Sequence, residues 1–132
     1  MAVKLLLDTS AYSAFNRGDA RLKSYFQSTN TLILPLIVIG ELRAGFAVGS
    51  RQRTNERLLQ RFIDSPNVEI VPLSMATTQH FAAIYSELRR QGTPIGTNDI
   101  WIASLSREHS LELLTLDKDF KNIQGLSLTP LT

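Results

Sequence analysis

The sequence predicts an α/β fold: a three-layer α/β/α sandwich on a mainly parallel sheet of four to five strands. Three observations carry that expectation. Short apolar runs of strand length alternate with stretches of helical periodicity from end to end. The first run, within Val3–Ser10, stops abruptly at a carboxylate, Asp8. The length, 132 residues, suits one domain spanning 1–132 with a core of its own. Parallel strands need long crossovers, which are right-handed in α/β proteins.

Val3–Leu7 reads as a strand buried on both faces. Asp8-Thr-Ser leads into a short helix that ends near Arg17-Gly18-Asp19, with Gly18 as its stop. Asp19 then suits the cap of a second helix, with Leu22, Tyr25 and Phe26 on one face. Thr31–Pro35 is a second strand, closed by proline. A helix over Ile37–Phe46 follows, and Gly49-Ser50 ends it. The next helix, Gln52–Asp64, buries Leu58, Leu59, Phe62 and Ile63 and aligns Arg53, Arg57 and Arg61 on another face. Ser65-Pro66-Asn67 is a turn before a third strand, Val68–Val71. Ser74 caps a long helix to Arg90 with Phe81, Ile84, Tyr85 and Leu88 inside, and Gln91–Pro94 stops it. Thr97 suits the cap of a helix whose first turn holds Asp99. Leu111–Leu116 is a fourth strand, ended by Asp117-Lys-Asp119-Phe120, and Gly125–Leu128 a short edge strand.

Composition narrows the chemistry. There is no cysteine, which excludes disulfides and thiolate metal sites, and two histidines, His80 and His109, are too few for a histidine-rich zinc centre. Both read as helix-surface residues. No apolar run approaches the roughly eighteen residues of a membrane span, and the first residues lack the pattern of a signal peptide. A cytoplasmic protein with no membrane partner is therefore expected. The net charge of +2 permits a nucleic-acid partner without demanding one.

Four acids stand out. Asp8 and Asp117 end apolar strands, and Glu41 and Asp99 sit on apolar helix faces. Val38 and Ile37 precede Glu41, and Ala44 and Gly45 follow it, all on its side of the helix, so Glu41 is expected to be buried. Each acid also has a plain structural role: Asp8 as a helix cap, Asp99 as a favourable charge at a helix start, Asp117 as a turn residue. Taken together they can converge at the carboxyl edge of the sheet, where open α/β folds build their sites. Four neighbouring carboxylates repel and raise one another's pKa. A hard divalent cation with oxygen ligands, magnesium or manganese, relieves that repulsion.

The ordered set Leu-Leu-Leu-Asp8-Thr-Ser, Ile-Gly-Glu41-Leu, Ile-Gly-Thr-Asn-Asp99-Ile-Trp-Ile-Ala and Leu-Thr-Leu-Asp117-Lys-Asp119-Phe resembles the motifs of PIN-domain ribonucleases, above all the VapC-type toxins of bacterial toxin–antitoxin pairs. The resemblance spans nearly the whole chain. It implies a PIN-like α/β/α sandwich, endonucleolytic cleavage of RNA dependent on Mg²⁺ or Mn²⁺, inhibition by a cognate antitoxin, and a homodimer. By position it makes Asp8, Glu41, Asp99 and Asp117 the acidic quartet, with Asp119 as an extra acid. Ser10 resembles a hydroxyl that supports the site, and Asn98 is a polar neighbour without an assigned role.

In this reading Asp8 and Asp99 hold the metal, directly or through water, while Glu41 and Asp117 complete the electrostatic site or orient the attacking water. Arg53, Arg57 and Arg61 suit RNA phosphates, an acidic antitoxin segment, or simply a solvated helix face. Trp101 suits base stacking or core and dimer packing. A housekeeping PIN nuclease and a non-catalytic, metal-stabilised binding module remain as alternatives. Phosphotransfer proteins fit less well: a haloacid-type phosphatase expects a second Asp where Ser10 stands, and a response-regulator receiver expects adjacent acids near the first strand, where Asp8 is alone.

Overall fold

The computed structural model describes residues 3–131. Four parallel strands form one sheet: β1 (Lys4–Leu7), β2 (Thr31–Pro35), β3 (Val68–Val71) and β4 (Glu112–Leu114). Their order is β3-β2-β1-β4. Leu6 of β1 faces Ile33 on one side and Leu113 on the other, so β1 is flanked by strands on both sides. That placement explains its uninterrupted Leu5-Leu6-Leu7, all essentially without solvent contact. The expected fifth strand is a single parallel bridge, Leu113 to Leu128.

Six helices join the strands: α1 (Thr9–Asn16), α2 (Ala20–Ser28), α3 (Leu36–Val48), α4 (Gln52–Ile63), α5 (Met75–Gln91) and α6 (Thr97–His109). The chain steps from β1 to β2 to β3 in one direction, then returns past β1 to β4. Right-handed crossovers therefore put α1–α4 on one face and the packed pair α5 and α6 on the other. The reversal makes the β1–β4 boundary the topological switch point, the place where such sheets open a crevice.

Local chemistry fixes the ends. Asp8 and Asp19 cap α1 and α2 with their carboxylates, and Ser74 forms a reciprocal capping box with Thr77 at α5. Gly92 closes α5 at φ +73°, a conformation glycine adopts without strain. The core runs through Leu6, Leu34, Ile84, Ile102 and Leu113. Tyr12, Phe15, Phe26 and Phe62 pack ring against ring where α1, α2 and α4 meet.

Four expectations need correction. Gly96, not Thr97, occupies the cap of α6, and Thr97 begins the helix. Leu58 and Tyr85 are exposed, because no neighbouring element covers the edges of the α4 and α5 apolar faces that carry them. β4 stops at Leu114, since Thr115 turns its hydroxyl to other strand ends. Glu41 is half-buried rather than buried, because Ala44 and Gly45 lie on an open rim of α3.

Candidate active site

Asp8 emerges from the central strand at the carboxyl edge and is 3% exposed. Its Oδ1 accepts the Ala11 amide at 2.9 Å, which is the α1 cap, and the Ser10 hydroxyl at 2.7 Å. Its Oδ2 accepts the Thr115 hydroxyl from the end of β4. Burial is the largest influence on this carboxyl and raises its pKa; the three hydrogen bonds oppose it, and the charge of Asp117 adds to it. Asp8 is thus a buried acid held rigidly by donors on both sides of the switch point.

The other acids arrive from three further elements. Asp99 stands in the first turn of α6, above buried Ile102 and Ala103. Glu41 comes from α3, which contacts α6, and its Oε1 accepts the Thr9 hydroxyl at 2.9 Å. Asp117 caps the 3-10 turn Lys118–Asn122 by accepting the Asp119 amide at 2.9 Å. Asp99 reports their convergence. Its pKa is pushed up to about 6, first by burial and then by the charges of Asp117, Asp8, Glu41 and Asp119. The three other expected acids, and the extra one, therefore all lie near enough for their charges to raise Asp99.

Among the described residues no lysine or arginine forms an ion pair with any of these acids; Arg43, close in sequence to Glu41, pairs instead with Glu56 of α4 at 3.2 Å. An all-oxygen donor set with unneutralised charge fits a hard divalent cation. No three of these side chains stand close enough together to ligate one ion jointly, among the described residues. A hard divalent cation held by only one or two carboxylates keeps several of its waters.

The remaining expected residues divide. Ser10 donates its hydroxyl to Asp8, and its oxygen accepts the Leu116 amide at 3.0 Å. Asn98 is exposed and makes no side-chain hydrogen bond among the described residues. Arg53, Arg57 and Arg61 are exposed on α4 without ion pairs to the acids among the described residues. Trp101 packs against α5, its ring centroid 4.0 Å from that of Phe81.

Two hydroxyls escaped sequence reasoning. Thr115 donates to Asp8 and accepts the Asp117 amide at 2.9 Å, and Thr9 holds Glu41. The available signal was symmetry: Thr115 lies two residues before Asp117, as Ser10 lies two after Asp8.

A four-stranded parallel sheet with acids gathered at its switch point is the architecture of a PIN domain, and the PIN domain family model matches residues 5–126. The chain belongs to the PIN domain family. Within it, the chain is 35% identical over 128 residues to Ribonuclease VapC1 of Rickettsia felis, covering 94% of this chain and 93% of that protein. Identity to Ribonuclease VapC2 of Rickettsia felis is 32% over 100 residues, 75% of this chain and 73% of that one. Among solved structures, the fold is similar to VapBC2 from Rickettsia felis bound to a DNA fragment from their promoter, with TM-score 0.88, 27% identity, and 98% and 100% of the two chains covered.

Proposed function

We propose that the protein is a divalent-metal-dependent endoribonuclease, the toxin of a toxin–antitoxin pair, hydrolysing RNA phosphodiester bonds at Asp8, Glu41, Asp99 and Asp117. The observation that carries the site assignment is Asp99: a half-buried carboxyl pushed up to about 6 by burial and by the other acids. A structural protein gains nothing from such crowding, whereas a cation site needs it. The VapC ribonucleases among the relatives support the reaction class, and the VapBC complex supports a cognate antitoxin as partner.

Asp8 and Asp99 would hold Mg²⁺ or Mn²⁺, directly or through water. Bound there, the cation supplies Lewis acidity for the scissile phosphate and lowers the pKa of the attacking water. The chain's residues do the positioning. Ser10, Thr115 and the Ala11 amide fix the Asp8 carboxylate in one orientation. Thr9 fixes Glu41, which with Asp117 orients water for attack. Water adds to phosphorus, the bond to the leaving ribose oxygen breaks, and the proton released by water is returned to that oxygen. Asp119 adds negative charge at the rim. The exposed stripe Arg53, Arg57 and Arg61 offers a contact surface for the antitoxin or for RNA phosphates. A cytoplasmic homodimer fits the reading, and no helix of the described residues is long and apolar enough to cross a membrane.

The test is cleavage of a mixed RNA pool, and of individual structured RNAs, by purified protein in Mn²⁺ or in chelator. Cutting in Mn²⁺ alone, abolished by Asp8→Ala, is the expected result. Intact RNA beside a folded protein with measured Mn²⁺ binding would favour the non-catalytic binding module.

A further inference from the structure

Beside the acids lies a second feature that the catalytic reading does not use. A groove of about 430 Å³ opens between the 3-10 turn, the start of α2 and the C-terminal segment. Thr115 and Asp117 are among its lining residues, so it is continuous with the acidic site. Its other polar walls carry Arg21, Lys118 and Lys121, and its apolar wall includes Pro130 and Leu131.

The charges differ in availability. Arg21 is committed to Asp19, at 3.0 Å. Lys118 and Lys121 are exposed and take part in no ion pair among the described residues. Two lysines thus line a trench that also borders the acidic site through Asp117. The acids demand that only one phosphate, the scissile one, approach them with a cation. The lysines offer the neighbouring phosphate a site without one.

We infer that this groove is the subsite for the nucleotide next to the scissile bond, with Lys118 and Lys121 pairing its phosphate and the Pro130–Leu131 wall packing against its ribose and base. The inference rests on the ribonuclease reading. Polyanion chemistry alone would also suit an acidic protein segment. The shared wall at Asp117 favours RNA, because a strand with one phosphate at the acids must continue past an edge of the site. The lysines are positioning residues: they hold substrate and touch no reacting atom.

The test separates this inference from its foundation. Binding of a labelled random-sequence single-stranded RNA is measured by anisotropy across salt concentrations, in the Asp99→Asn background so that nothing is cut. Each phosphate contact on a single strand contributes about 0.7 to the slope of log affinity against log salt. Lys118→Ala/Lys121→Ala removes that one phosphate contact and should therefore lower the slope by about 0.7 and weaken binding roughly tenfold at low salt, while Lys118→Arg/Lys121→Arg keeps both. Both lysines are exposed, so the variants should fold. An unchanged slope overturns the subsite and leaves the nuclease standing. RNA binding by neither protein overturns the ribonuclease reading and the subsite with it. Loss of polyglutamate binding in the alanine variant, with RNA binding untouched, overturns the subsite in favour of an acidic protein segment.

Discussion

The hydroxyl of Thr115, at the end of β4, donates to Oδ2 of Asp8, at the end of β1. The same oxygen accepts the Asp117 amide at 2.9 Å. One side chain thus ties the two strand-end acids across the switch point. Ser10 makes the reciprocal link, bonding Asp8 while accepting the Leu116 amide. The β1–β4 crevice is laced by hydroxyls, and its acids are oriented before any substrate arrives.

Thr115→Val keeps the shape and removes the donor. A buried acceptor left without its partner costs about 1–3 kcal/mol, and loss of a group that orients a metal ligand lowers activity or metal affinity by about 10–100-fold. Both effects are expected, read by thermal melting and by initial cleavage rates. Wild-type rates in a measurably destabilised variant would show that Thr115 serves the fold alone.

Burial and like charges make folded Asp99 hold its proton more tightly than the unfolded chain does, with a pKa of about 6 against the ordinary 3.8. Between those values the folded state binds more protons, so the stability this group contributes is present at low pH and is lost as pH rises through about 6. Other acids move the opposite way; Glu108, bonded by Ser74 and Thr77, is lowered. The comparison is therefore between wild type and Asp99→Asn in chelator. The variant's advantage in melting temperature should be absent near pH 4, grow toward about pH 6 and then level off. A difference that is flat across this range would remove the crowding argument for the site.

Legibility in the sequence followed from which interactions are local. The strand at Leu5–Leu7 and the caps at Asp8, Asp19 and Ser74 depend on neighbours within a few positions, and each was readable. Thr115 and Thr9 were not, because their value lies in partners 107 and 32 residues away. The apolar stripes of α4 and α5 were visible, but periodicity gives a face and not how far another element covers it, so Leu58 and Tyr85 were misplaced inside. Glu41 failed for a related reason: Ala44 and Gly45 are apolar yet small enough to line an open rim. Among the acids, the ordered motifs carried their convergence, since spacing alone leaves each one free to be a cap.

Divalent cation should couple to folding through the same carboxylates. Binding to the folded state adds RT ln(1 + [L]/Kd), about 1.4 kcal/mol at tenfold above Kd, which is roughly 4–7 °C in melting temperature for a chain of this size. The cation competes with the proton that buried and crowded Asp99 takes up, so the gain should be small near pH 5 and larger at pH 7. Asp99→Asn already lacks one charge of the cluster and should lose most of the gain, while starting from a higher melting temperature in chelator at pH 7. Lys118→Ala/Lys121→Ala, outside the acid set, should keep the full gain. Calorimetric scans in Mg²⁺, Mn²⁺ and chelator at the two pH values measure all three proteins. An equal shift in wild type and Asp99→Asn would place the cation elsewhere on the molecule, and with it the assignment of Asp99 as a ligand would fall.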